Sequence, residues 1–249
     1  MANPRPSLTL RSAMPHDVPV ITAICLTTMP TTDLWSYRYN LASQYPHDYH
    51  FFTSKRFALR TDPATREGFL VLVIETLEDD VPVVIGYVVW QGPDENWAKD
   101  LPGLGQRSDY PPASLIQDGL QERYGLKLQS SSLNDTTRRD ADPARLQLWR
   151  EATARVKKEI FDTEYGVRQL DLIQRAVLPK YQKQGVGTFM LYWGMRIATE
   201  HSWALTSIVP PKACKWYEAR GFKLLATERL QVEGQEQSVE FLVMGAKPV

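Results

Sequence analysis

The chain has 249 residues, with little cysteine, no excess of either charge and no long apolar run. Each shortage removes a class of function. Cys25 and Cys214 are the only cysteines. Neither has a metal-type neighbour, and both read as reduced thiols of a cytosolic-type compartment. Acidic and basic residues number 29 each. That balance leaves no general basic footprint for nucleic acid or an anionic membrane, although a local basic patch stays open. No apolar run approaches the length needed to span a bilayer. The opening Met1-Ala2-Asn3-Pro4-Arg5-Pro6 has no apolar signal core. The expectation is a soluble, cytoplasmic protein that binds neither nucleic acid nor membrane. No internal repeat is visible.

What is present suits a sizeable core. Apolar residues make up 43% of the chain, an ordinary share for a globular protein. Leu8–Arg11 alternates as a short strand. Asp17 stands where it can cap a helix over Val18–Met29. Leu34 to Phe57 is aromatic-rich and reads as two short helices broken near Pro46. Phe69–Leu77 and Val81–Gln91 flank Asp79-Asp80 as a hairpin. Gly92 to Pro143 is rich in Pro, Gly, Ser, Asn and Asp and reads as a partly disordered insertion. Helix returns over Pro143–Phe161. Gln169–Val177 is a strand, Gly185–Glu200 a helix, Trp203–Val209 a strand and Pro211–Arg220 a short helix. Phe222–Val232 and Gln237–Met244 form a last hairpin. Interleaved helices and strands with hairpins at both ends imply one mixed α/β sheet. The expected unit is a single domain over residues 8–249, with an insertion at about 92–165.

The most informative stretch is Val177-Leu178-Pro179-Lys180-Tyr181-Gln182-Lys183-Gln184-Gly185-Val186-Gly187-Thr188. It joins a strand to a helix, so glycines and free backbone N–H groups fall at a helix N-terminus, where an anionic phosphate can sit. Lys180 and Lys183 add positive charge. Met190 stands where a Rossmann fingerprint needs its third glycine, which weakens a nicotinamide enzyme, and the Gly-Lys-Ser/Thr of a Walker A loop is missing. Taken alone, the two glycines serve equally well as a tight strand-to-helix turn.

In its wider context the run resembles the acetyl-CoA signature of the GNAT acetyltransferase superfamily. Gln182, Gly185 and Gly187 match that signature's defining positions. Ala213-Cys214-Lys215-Trp216-Tyr217-Glu218-Ala219-Arg220-Gly221-Phe222 is similar to the second motif of the same family. The resemblance covers roughly Gln169 to Phe222. Pro210 departs from the Asn of many members. The resemblance implies a mostly antiparallel mixed sheet flanked by helices, with the insertion between the third and fourth strands. It implies transfer of an acetyl group from acetyl-CoA to a primary amine by direct attack in a ternary complex, with no metal. The acceptor, a small molecule or a protein amine, is not indicated. A non-catalytic acyl-CoA-binding module of the same fold is the alternative.

The same resemblance assigns the site. Ala176, Val177 and Leu178 would hold the thioester and pantetheine arm, their amides polarising the carbonyl. Gln182, Lys183, Gln184, Gly185, Val186, Gly187 and Thr188 would hold the pyrophosphate. Tyr217 would protonate the departing thiolate, whereas without the motif it reads as a packed tyrosine. Asp171 sits where some members place a catalytic Glu. On an extended strand Asp171, Ile173, Arg175 and Val177 would share a face. Asp171 reads equally as a structural partner of Arg168 or Arg175. Cys214 has no adjacent His base, so an acyl-enzyme has little support. His47 and His50 have helical spacing but no convincing third metal ligand. His201 suits a helix C-terminus. The aromatic run from Trp35 to Phe52 reads as core or as an acceptor pocket. Arg150, Arg155, Lys157 and Lys158 read as a solvated face or as a contact for the nucleotide 3′-phosphate.

Overall fold

The computed structural model describes residues 7–99, 101 and 138–248. Its strands are β1 (Thr9–Ser12), β2 (Phe69–Glu78), β3 (Val81–Gln91), β4 (Gln169–Val177), β5 (Ala204–Val209), β6 (Lys223–Gln231) and β7 (Ser238–Ala246). They form one sheet in the order β1-β2-β3-β4-β5-β7-β6. Every pairing is antiparallel except β4 with β5. A parallel pair needs a crossover, and here the crossover is a helix that covers one face of the sheet.

The helices are α1 (Val18–Thr28), α2 (Asp33–Arg38), α3 (Pro46–Thr61), α4 (Pro143–Arg155), α5 (Asp162–Tyr165), α6 (Val186–Glu200) and α7 (Cys214–Glu218). Helix α3 is longer than its sequence suggested. Tyr49, Thr53, Phe57 and Thr61 recur every fourth residue and are buried, so one continuous face holds it to the sheet. Asp17 does not cap α1. Its carboxylate accepts from Arg11 at 2.6 and 2.8 Å and from the Met14 amide at 2.7 Å. Arg11 also reaches Glu75 at 2.9 Å, and all three residues are buried. This network ties β1, the entry to α1 and β2 together.

Two bulges shape the sheet. Ile85 is an extra residue of β3 opposite β2, and Ile173 is an extra residue of β4 opposite β3. The second one overturns the alternation expected along β4. Asp171 pairs with Gln91, whereas Arg175 pairs with Val88, three residues back along β3. Odd separation means opposite faces. Asp171 therefore lies on the face that packs α1 and α3, and Arg175 on the face that packs α6.

Of the insertion expected after β3, residues 102–137 lie outside the described residues. The chain returns through Arg139, which grips Asp48 of α3 with two hydrogen bonds of 2.8 Å. Those bonds hold the Asp48 carboxyl below its usual range. Helix α4 runs into a π-helical turn, Val156–Phe161, and then α5. Leu34, Tyr37, Ala152, Val156 and Phe161 pack with Leu230, Val239, Phe241 and Val243, so α2, α4 and the π-turn cover the last hairpin. Among the described residues no helix is long and apolar enough to cross a membrane.

The opposite face is held by α6. Gly194 lies against Trp90, and a Cβ there would overlap the indole ring. Trp90 is fully buried and has no room to swing away. An exposed helical Gly→Ala change gains about 1 kcal/mol. Overpacking against a fixed ring costs about 1–3 kcal/mol. Gly194→Ala should therefore lower the urea midpoint of unfolding, and a raised midpoint would show that the α6–Trp90 contact is looser than described.

Candidate functional site

Strands β4 and β5 run together from Gln169↔Ala204 to Leu172↔Ser207, and there the pairing stops. β4 continues to Val177 without a partner on that side. The bulge at Ile173 sits at the point where the strands part. Parallel strands that separate leave main-chain groups turned into the gap. The Leu178 amide donates to Ile85 O at 2.9 Å, toward β3. Alternation then turns the Val177 amide to the β5 side, into the gap. This corrects the expectation for Leu178, whose N–H is already committed and whose side chain is buried.

The loop after β4 bends by hydrogen bonds from Tyr181 N to Leu178 O and from Gln182 N to Pro179 O. Gln182 Nε2 donates to Val177 O at 2.9 Å, and Gln184 Nε2 to Lys180 O at 2.8 Å. Both amides therefore shape the loop. Gly185 has φ +89°, a backbone position that favours glycine, and it precedes the first turn of α6. The first hydrogen bond across that turn runs from Phe189 N to Gly185 O. The amides of Val186, Gly187 and Thr188 precede it and have no intrahelical acceptor. Gly187 is small for a different reason: a Cβ there would stand 3.3 Å from Arg175 Nη1.

A cleft of about 460 Å³ opens on this loop, lined by Ala176, Val177, Gln182, Lys183, Gly185, Gly187 and Thr188. Leu178, Gln184 and Val186 do not line it. Lys180 is taken by Glu78 at 2.5 Å, whereas Lys183 is exposed at the cleft. A larger cavity of about 820 Å³ lies on the α1–α3 side and contains Asp171 and Tyr217. The two share Met29, Thr32 and Arg175. Ala176, Val177, Gln182, Lys183, Gly185, Gly187 and Thr188 thus line one space and Asp171 and Tyr217 the other, and the two adjoin at Met29, Thr32 and Arg175.

Tyr217 is buried on α7 with its ring against Trp216 and Phe222. Asp171 has its carboxylate 3.3 Å from Lys157 Nζ, and not on Arg168 or Arg175. Lys157, on the π-turn, is half-exposed, but its ammonium is paired and not simply solvated. It also meets Asp162 at 3.5 Å and Gln169 at 2.7 Å. Burial pushes the Asp171 carboxyl up, and Lys157 partly opposes the shift. Its Oδ1 is buried without a partner among the described residues.

No protein-family model matches this sequence, and no curated protein matches it in sequence. Solved structures do share its architecture. One is a mosquito arylalkylamine N-acetyltransferase like 5b, with TM-score 0.57, 14% identity, and coverage of 97% of this chain and 100% of that one. Another is from Corynebacterium glutamicum, described as histone acetyltransferase HPA2 and related acetyltransferase. Its TM-score is 0.53, with 13% identity and coverage of 98% of this chain and 97% of that one. The fold is that of the GNAT N-acetyltransferases.

Within this GNAT fold the sequence reading missed Arg175 as a bridge. Its guanidinium donates to Gly187 O at 2.9 Å and stacks 3.8 Å from the centre of the Trp216 ring. Arg220 stacks on Trp216 at the same distance, which requires the other face, and donates to Thr188 Oγ1 at 3.0 Å. Burial lowers Arg175 from its usual range, Arg220 adds to the effect, and Tyr217 opposes it. The available signal was an arginine near the end of β4, two residues before the strand ends at Val177.

The charge partner of Asp171 is testable. An opposite charge at this distance favours the ionised carboxylate and lowers its titration. Lys157→Met should therefore raise the Asp171 titration further, read from its side-chain carboxyl ¹³C shift. An unchanged midpoint would mean that Lys157 does not set the charge of Asp171.

Proposed function

We propose that this chain transfers an acetyl group from acetyl-CoA to a primary amine, without an acyl-enzyme. The observation that carries this reading is the end of the β4–β5 pairing at Leu172, beyond which the cleft at the α6 N-terminus and the cavity holding Tyr217 share Met29, Thr32 and Arg175. The donor set fits a diphosphate. Gly187 and Thr188, whose amides have no intrahelical acceptor, the positive end of the α6 dipole and Lys183 meet at one cleft. Gln182 and Gln184 hold that loop in shape from behind. Bound acetyl-CoA would supply the acetyl group as a thioester.

The chain's own groups have distinct tasks. The Val177 amide, turned into the gap, is placed to donate to an oxygen that gains negative charge. The amine nitrogen bonds to the acetyl carbon while the carbon–sulfur bond breaks. The nitrogen loses a proton, and Asp171, with a carboxyl raised by burial, is the candidate to receive it directly or through water. The leaving sulfur takes a proton from Tyr217. Cys214 plays no part, since burial and Glu218 raise its thiol and no His is at hand. The similar mosquito and Corynebacterium glutamicum structures are named for arylalkylamine and histone acetylation, and both acceptor types are amines suited to this chemistry.

Thiol release from acetyl-CoA in the presence of amines separates this reading from a binding module that does no chemistry. Tyr217→Phe should lower turnover by about 10²-fold or more while the Kd for acetyl-CoA stays within about twofold. Unchanged turnover, or equal loss of both, would remove Tyr217 from the reaction. Gly187→Glu sets a carboxylate at the cleft and crowds Arg175, so calorimetry should detect no acetyl-CoA binding in the folded variant. Retained affinity would contradict the loop assignment.

A further inference from the structure

The larger cavity is strongly unbalanced in charge. Arg38 of α2 and Arg56 and Arg60 of α3 line it, together with Lys157 and Arg175. Its acidic lining residues are Asp162 and Asp171, and Lys157 is paired with both. Arg175 is spent on Gly187 O and Trp216. Arg38, Arg56 and Arg60 have no carboxylate partner among the described residues.

What these arginines do touch is aromatic or neutral. The Arg38 guanidinium stands 4.2 Å from the centre of the Trp149 ring and 5.0 Å from that of Trp35, and its Nε donates to Leu34 O. Arg60 stands 4.2 Å from Phe69. Arg56 donates through Nη1 to the Tyr39 hydroxyl at 2.7 Å, while its Nε and Nη2 are buried without a partner among the described residues. Guanidinium stays charged in a protein, so among the described residues the cavity carries an excess of positive charge. Two neighbouring groups register it. Burial pushes the Tyr39 phenol up, yet Arg56, Arg38 and Arg138 bring it below its usual range. Burial, with Arg56 adding, lowers Arg60 to about 10.

The acid end of the same cavity lies across the sheet. Phe69, Gln91 and Asp171 are register partners on β2, β3 and β4. Arg60, stacked on Phe69, is thus about 10 Å from Asp171 by strand spacing, before its long side chain reaches back. An occupant with a positive or proton-donating end near Asp171 and a negative end near the arginines matches both ends. The volume is within the range of small-molecule sites.

We propose that the acceptor is a carboxylate-bearing primary amine, its carboxylate held by Arg38, Arg56 and Arg60 and its amine directed to Asp171 and Tyr217. This rests on the acetyl-transfer reading above. It also separates this protein from an enzyme for arylalkylamines, which carry no anion to meet these arginines.

The test is a matched panel of acceptors, with thiol release from acetyl-CoA as the readout. L-phenylalanine is compared with L-phenylalaninamide and phenethylamine, and 6-aminohexanoate with its amide and hexylamine. Amidation lowers the amine's basicity and so supplies more free amine, a bias that runs against the proposal. The carboxylates should exceed their neutral partners in kcat/KM by about 10- to 100-fold, the range of a hydrogen bond to a charged group. That ratio should fall toward one in Arg56→Gln and, should that variant not fold, in Arg38→Gln or Arg60→Gln. Equal or better use of the neutral amines, or a ratio kept in all three variants, would overturn the assignment. Absence of thiol release from every amine would contradict acetyl transfer instead. Titration with N-acetyl-L-phenylalanine against its amide would then still decide the anion claim: saturable binding of the carboxylate alone supports it, and equal or no binding refutes it.

Discussion

The structure turns on the separation of β4 from β5. The two strands share a short parallel ladder, and after Leu172 β4 runs on paired with β3 but without β5. Its main chain gains an unpaired edge inside the protein, and unpaired polar backbone is costly unless something meets it. The bulge at Ile173 adds the turn in strand direction and exchanges the faces of the residues beyond it. Asp171 remains in the cavity beneath α1 and α3, and Arg175 crosses to α6. One inserted residue therefore divides the site into its two compartments.

Arg175 is the hinge between them. It lies at the junction of both spaces, binds the first turn of α6 through Gly187 and stacks on the indole of Trp216, next to Tyr217. Trp216 takes Arg220 on its other face, and Arg220 returns to Thr188. The loop–helix motif and the α7 motif are thus joined by side chains, not merely adjacent. A substitution at Trp216 would loosen two guanidinia that carry positive charge to the cleft. The second compartment has its own polarity, with Lys157 settled on two carboxylates and the α2–α3 arginines left among rings.

Much of this was legible in the sequence, for identifiable reasons. The strand periods of β2, β3 and β4 and the glycine-bearing loop before α6 are local patterns, and their boundaries emerged almost unchanged. The GNAT resemblance rested on Gln182, Gly185, Gly187, Tyr217 and Gly221-Phe222, and the fold agrees with it. The bulge at Ile173 was invisible because register is decided by the neighbouring strand and not by the bulged one. The Asp171–Lys157 pair was missed because a π-turn redirects Lys157, and a helical wheel of period 3.6 places it outside. Asp17 looked like a helix cap because its competitor, Arg11, arrives from a separate strand. The three cavity arginines fell within or beside a run that read simply as aromatic. Their want of acids among the described residues is a property of the assembled cavity.

The central claim is that free amides around the β4 gap and the α6 N-terminus grip coenzyme A. Amide-resolved NMR of the full chain during titration with coenzyme A addresses it directly. The account requires saturable shifts led by the Val177, Gly187 and Thr188 amides, with Leu178 little changed because its N–H stays on Ile85 O. Saturable shifts confined to other parts of the sheet, with those amides silent, would contradict it.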